Sequence, residues 1–270
     1  RITAGTLKLG ASGVILNTSA VNLTNVSGAI LDVNGMTETI GTLSGGGASG
    51  GNIILGDINT GAGALTVNQL TYAEYAGIIS GTGSFTKARN GTLELTGQST
   101  YSGTTTISGG DIIISISSAL PSNPLTFTNK ANIYIFDSSI TQTIGTLSAS
   151  GVTAAKIDSA GTLTINQNAD GIYSGRIIGT GAVVKSGSYI LTLNGTNTYQ
   201  GGTTISEGTL RVSGGNALLN SGSVILADVS GALLDVITSE TIGSLSGGGI
   251  HGGTTYGNIA VASGATLTVN

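Results

Sequence analysis

No cysteine occurs in the chain, so neither disulfides nor thiolate metal sites can hold its fold together. Charge is almost as scarce, at 8% of residues, and the ionic side chains that make an ordinary surface helix soluble are nearly missing. Nine scattered Lys and Arg against thirteen Asp and Glu give no electrostatic footprint for nucleic acid or for an anionic membrane surface. No segment approaches the roughly eighteen unbroken apolar residues of a membrane-spanning helix. Arg1 opens directly into a strand-like pattern without the layout of a signal peptide, so a signal, where the parent protein carries one, is expected outside this sequence.

What is abundant is glycine, 46 residues, accompanied by Thr, Ser, Asn, Val, Ile, Leu and Ala. The glycines follow no three-residue period, which excludes collagen, and the abundance of Ile, Leu and Val argues against simple disorder. β-Branched residues alternating with turn-forming Gly and Asn predict an all-β fold.

The chain repeats itself at an offset of 98 residues. Tyr75-Ala-Gly-Ile-Ile-Ser-Gly-Thr-Gly-Ser-Phe-Thr-Lys87 returns as Tyr173-Ser-Gly-Arg-Ile-Ile-Gly-Thr-Gly-Ala-Val-Val-Lys185. Independently, Leu93-Glu-Leu-Thr-Gly-Gln-Ser-Thr-Tyr101 returns as Leu191-Thr-Leu-Asn-Gly-Thr-Asn-Thr-Tyr199. A third block, Thr39-Ile-Gly-Thr-Leu-Ser44, recurs at Thr143–Ser148 and, with one exchange, at Thr241–Ser246. Leu65-Thr-Val-Asn68, Leu163-Thr-Ile-Asn166 and Leu267-Thr-Val-Asn270 then mark unit ends. This divides a single solenoid, 1–270, into a partial unit 1–68 and units 69–166 and 167–270, so the chain is expected to start in mid-unit. The last unit is longer because Gly247–Gly253 replaces the shorter Ala149-Ser-Gly151, an insertion that a loop between stacked strands tolerates.

Runs such as Leu93-Glu94-Leu95 and Leu210-Arg211-Val212 alternate apolar with polar, the period of a strand with one wet face. Asn90-Gly91 and Asn194-Gly195 read equally as hairpin turns or as corners of a coil. An antiparallel sandwich or propeller therefore competes with a parallel solenoid of roughly twenty residues per coil. Unequal strand spacing and a mid-unit start favour the solenoid, because closed architectures need a defined strand count. Twelve or so coils at ~4.8 Å would make a rod on the order of 60 Å long.

The search for chemistry yields little. β-Helical polysaccharide lyases and hydrolases need clustered carboxylates, and here the acidic residues are dispersed. Asp137 and Asp235, 98 residues apart, with Asp32 near the corresponding place, read as structural corner residues. His251 is the lone histidine, read as an exposed loop residue that supports neither a triad nor an imidazole metal site. The Gly45–Gly51 and Gly247–Gly253 loops contain no Asp, unlike calcium-binding β-rolls. Gly81–Lys87 lacks the ending of a phosphate loop and reads as a turn with a surface lysine. Tyr75, Tyr101, Tyr173 and Tyr199 could stack on sugar rings, but read better as caps of a narrow core with their hydroxyls in water. No catalytic, metal or cofactor-binding residue is assigned, and any binding residues stay unassigned.

Gly91-Thr-Leu-Glu-Leu-Thr-Gly-Gln-Ser-Thr-Tyr-Ser-Gly-Thr-Thr-Thr-Ile-Ser-Gly109 and Tyr189-Ile-Leu-Thr-Leu-Asn-Gly-Thr-Asn-Thr-Tyr-Gln-Gly-Gly-Thr-Thr-Ile-Ser-Glu-Gly-Thr-Leu-Arg-Val212 closely resemble the autotransporter-associated β-strand repeat. The preceding Gly-Thr-Gly and lysine have counterparts at Gly81–Lys87 and Gly179–Lys185. The resemblance implies an autotransporter passenger: a right-handed parallel β-helix on the cell surface, exported through the outer membrane by a β-barrel farther along the parent chain. Asp111-Ile-Ile-Ile-Ser115 departs from the repeat's Gly-Thr-Leu strand, and Pro121 and Pro124 break the run that follows, so a bulge is expected there.

The function this implies is a non-catalytic extracellular stalk giving length, rigidity and an adhesive surface, whose partner is an unidentified protein or glycan ligand on a surface or neighbouring cell. A subunit or segment of a self-assembling extracellular filament or sheath, associating end to end or laterally, is the alternative, and a glycan-active β-helix enzyme is the third. Neither a cofactor nor nucleic acid enters any of these.

Overall fold

The computed structural model describes residues 1–251 and 254–270, the side chains of 250–256 excepted. Among the described residues every regular element is a strand, and contacts divide the chain into two units, Arg1–Tyr134 and Ile135–Asn270.

The first unit is a parallel solenoid with three faces. Its first face stacks Val21–Leu23, Leu43–Gly45, Ala73–Tyr75, Thr92–Leu95 and Gly110–Ile114. The second stacks Thr6–Lys8, Ile30–Asp32, Asn52–Ile54 and Ile79–Ser80, and the third Thr37–Ile40, Ala64–Asn68, Ser84–Ala88, Thr105–Ile107 and Leu125–Phe127. The chain visits the faces in that order and returns to the first one rung higher. Most turns take about twenty residues, as from Leu65 to Phe85 to Thr105 to Leu125, which lie side by side in register.

Asn90-Gly91 is thereby a corner, since the strands flanking it belong to different sheets. A hairpin would have laid them antiparallel in one sheet.

Period-two alternation does what the sequence pattern implies. In Ala64–Asn68, Leu65 and Val67 point inward and are fully buried, while Ala64, Thr66 and Asn68 face outward. Stacking repeats the alternation from rung to rung, so the core is a set of mainly apolar columns, each fully buried Leu, Ile or Val contributing about 1.5–3 kcal/mol. The corners are narrow. A Cβ on Gly97 would lie 2.4 Å from the Gly77 carbonyl oxygen, and one on Gly77 would lie 2.1 Å from that of Gly51. Only glycine lets successive corners approach this closely.

The bulge expected at Asp111–Ser115 is absent. Leu93 pairs with Ile112 and Leu95 with Ile114, then Ile112 with Ile133, all in parallel register. Ile112 and Ile114 fill the inward positions that the repeat's leucine normally takes, so the exchange keeps the phase. Pro121 and Pro124 sit in the following loop, and the Pro124 carbonyl still accepts from the Thr105 amide at 2.9 Å. Proline lacks a donor but loses no acceptor.

The second unit is built alike. Gly171–Tyr173, Ile190–Leu193, Thr209–Val212, Leu233–Val236 and Asn258–Val261 form one parallel face. Thr141–Ile144, Thr162–Asn166, Val183–Ser186, Thr203–Ile205, Ser223–Leu226 and Ser244–Gly247 form another, with Lys156–Ser159 beside Arg176–Ile178 on a third. Asn194-Gly195 is again a corner. A short antiparallel pair, Gly249–His251 with Thr254–Tyr256, interrupts the last turn.

Candidate functional site

The residues that sequence repetition singles out go mostly inward. Lys87, read as a surface lysine, is fully buried: Ser84–Ala88 is a strand, and its alternation turns Lys87 to the interior. It stands in an aliphatic column between Val67 and Ile107. Its ammonium reaches the corner, where it donates to the carbonyls of Ala88 at 3.3 Å, Arg89 at 2.9 Å and Gly109 at 2.8 Å. Lys185 is buried likewise between Ile165 and Ile205, and donates to Ser186 at 2.9 Å, Gly187 at 2.7 Å and Glu207 at 2.9 Å.

Each lysine thus ties its own corner to the corner one rung on. The middle acceptor is held by a left-handed residue, Arg89 at φ 66° or Gly187 at φ 73°. Burial pushes the two ammoniums down to about 8, opposed by the nearby Asp111 and Glu207 carboxylates respectively. Both are charged at neutral pH.

The four repeated tyrosines lie inside the solenoid and their hydroxyls do not reach water, contrary to the cap expected from sequence. Tyr75 donates to the Gly51 carbonyl at 2.8 Å and Tyr173 to that of Arg176 at 3.3 Å. Tyr101 pairs with Thr105 and Tyr199 with Thr203, hydroxyl to hydroxyl, at 2.5 Å. Burial raises all four above the ordinary phenol range, Tyr199 to about 12. No face of these rings is open to a sugar.

Other buried polar groups repeat the theme and were missed in the sequence. Gln69 accepts from the Leu43 amide and donates to the Thr71 carbonyl; Gln167 accepts from Leu147 and donates to Ile190. Glu38, Gln142 and Glu240 occupy the same place in three Thr/Ser-x-Thr-Ile strands, each buried and paired with the leucine of a Leu-Thr-Val/Ile strand. Glu38 accepts from the Val14 amide and Glu240 from those of Ala217 and Leu218, capping backbone that no strand covers. Desolvation raises the Glu240 carboxyl above its usual range, opposed by these two bonds. The readable signal was recurrence at the same place in a repeated motif: a polar residue at an inward position in successive repeats is a staple.

The aspartates divide differently from expectation. Asp32 and Asp235 sit within strands at outward positions beside a cation on the neighbouring rung, Lys8 at 3.6 Å and Arg211 at 2.8 Å. Asp137 is instead in an exposed turn, accepting from the amide and hydroxyl of Ser139, which hold its carboxyl below the usual range. The 98-residue offset does not carry over to these two because Ile133 takes the inward register that Leu234 takes in the later repeat, which puts Tyr134 where Asp235 stands. The side chain of His251 lies outside the described residues.

Outside, among the described residues, no three His, Cys, Asp or Glu side chains gather as metal donors. A shallow groove in the first unit, lined by Asn52, Ile78, Gln98 and Ile116 among others, contains no titratable side chain.

The repeated geometry coincides with a family match. Residues 85–114 and 183–212 fit the Passenger-associated-transport-repeat, and each stretch contains one buried lysine and one tyrosine–threonine pair. This is repeat sequence of an autotransporter passenger. Over 209 residues, 73% of the chain, it is 32% identical to the Adhesin BmaC autotransporter of Brucella suis biovar 1 (strain 1330). The match spans 6% of that protein's length, so the chain corresponds to a small part of its relative. No solved structure matches the chain. Passenger sequence is cell-surface sequence, displayed outside the outer membrane.

Proposed function

We propose that this passenger segment is a non-catalytic spacer that gives length and stiffness to a surface adhesin, with adhesive contacts spread along its outward faces. What supports this reading above all is the direction of the recurrent polar side chains. Lys87, Lys185, Gln69, Gln167 and Glu240 are spent on tying rung to rung and are not presented to solvent. A wall stapled at its corners resists unwinding, which is what a stalk needs. The relative's description as an adhesin supports the adhesive part. The parent chain then continues to an outer-membrane β-barrel translocator, and the ligand is a protein or glycan on another surface.

Two measurements test it. Pulling single molecules end to end should give unfolding in rung-sized steps at high force, and a chain that extends smoothly at low force would refute the stiff spacer. Turnover of an acidic or neutral polysaccharide by the purified chain would refute the non-catalytic part.

A further inference from the structure

The third face of the first unit carries a ladder that the stalk does not need. Thr39, Thr66, Thr86, Thr106 and Thr126 lie side by side in strict parallel register, all outward and half-buried. The outward neighbours in the same strands are Thr37, Ala64, Asn68, Ser84 and Ala88. None is charged, although Glu38 and Lys87 belong to these strands, because both point inward. The first and second faces differ: they present Glu74, Glu94, Asp111, Lys8 and Asp32 outward. The five ladder hydroxyls make no hydrogen bond within the described residues.

We propose that this hydroxyl face is a homotypic interface and that its partner is the same face of a second copy of the chain. The argument is one of matching. A hydroxyl both donates and accepts, so a threonine column complements itself in either direction, as an interface between identical copies requires. The column repeats at the rung spacing of ~4.8 Å, and the same column of a second copy offers hydroxyl partners at that interval on every rung. The chain is net negative, −4 overall, so the face that two copies can bring together without like-charge repulsion is the uncharged one. The outward methyls supply apolar contact while the hydroxyls pair, and neither strands a buried polar group.

The ladder face is small, on the order of 300 Å² for five rungs of about four residues, against roughly 800 Å² per partner in a stable complex. One such face therefore associates weakly, and strength comes from repetition along a long passenger. The second unit offers an analogous uncharged face, whose outward column runs Thr143, Thr164, Val184, Thr204, Ile225 and Ser246. This pairing does not depend on the adhesive reading, since a stalk that binds no host ligand could still pair with its neighbour.

Sedimentation velocity of the 270-residue chain over a wide concentration range tests it. The expected result is reversible self-association that Thr66→Lys/Thr86→Lys/Thr106→Lys weakens about tenfold or more, while Ile113→Lys, outward on the first face, leaves it unchanged. A wild-type chain that stays monomeric at near-millimolar concentration, or a triple variant that associates as the wild type does, overturns the proposal. A cross-linking test does not depend on the triple variant folding. The chain has no cysteine, so Thr86→Cys on the middle rung should form interchain disulfides under mild oxidation faster than Ile113→Cys. Equal rates, or faster linking through Ile113→Cys, would place the contact elsewhere and overturn the homotypic face.

Discussion

Replacing Lys87 by Met keeps the stem in its aliphatic column between Val67 and Ile107 but removes the ammonium from the corner. Three carbonyls then lose a charged donor, a bond type that contributes about 1.5–3 kcal/mol each. Against this, the substitution relieves the burial of a cation whose pKa is depressed to about 8. At 1.36 kcal/mol per unit that relief is about 3 kcal/mol at most, and less because a corner is partly screened by water. The bonds win, and Lys87→Met should destabilise the first unit by about 1.5–6 kcal/mol, with Lys185→Met doing the same in the second. Guanidinium unfolding followed by far-ultraviolet circular dichroism reads this as a lower midpoint.

The pH profile separates a staple from mere packing. The folded pKa of each lysine lies below its unfolded value of 10.5, so between about pH 8 and 10.5 the unfolded chain holds more protons and stability rises with pH. From pH 8 to 9.5 the gain is about 1 kcal/mol per lysine after discounting for screening. The buried tyrosines act the other way: their folded pKa values are raised, so their contribution is complete below pH 10 and is lost as pH climbs beyond it. The wild type should therefore gain stability from pH 8 to 9.5, and the double Met variant should show little of that gain. A Lys87→Met chain as stable as the wild type at pH 7, or a double variant that keeps the alkaline gain, would refute the staple.

Arg89→Gly should stabilise by about 1 kcal/mol, since Arg89 holds a left-handed φ of 66° that the later repeat assigns to Gly187; thermal melting checks it. Tyr101→Phe should cost about 1 kcal/mol by orphaning the Thr105 hydroxyl, and adding Thr105→Val should recover most of it in a double-mutant cycle. Glu240→Gln should remove a pH dependence: the raised carboxyl pKa means the favourable contribution of Glu240 is complete only below the unfolded value of 4.5 and is lost as pH rises through the folded one, whereas the amide does not titrate and can accept from only one of the Ala217 and Leu218 amides; melting at pH 4 and 7 should show the wild type losing stability and the variant holding level. Arg211→Ala should lose about 1 kcal/mol, its ion pair lying on an outward face where water reaches the guanidinium, so a loss equal to that of Lys185→Met would contradict the division between staples and surface pairs.

The sequence by itself determined the all-β class, the 98-residue period and the inward alternation of residues such as Leu93 and Leu95, because these depend on local periodicity and on copies of the same segment. It also carried the family, since the lysine, tyrosine and threonines of residues 85–114 and 183–212 fall within one short stretch of chain in each copy. Only the tertiary structure decided which way Lys87 and the tyrosines point. A strand's face is relative until something packs on it, and a lysine at an inward position is indistinguishable from a solvated one until three carbonyls from two rungs converge on it. The same holds for Asp137, moved out of the strand by a register that the partner rung sets, and for the threonine ladder. Its members are 20 to 27 residues apart in sequence and become neighbours only through stacking.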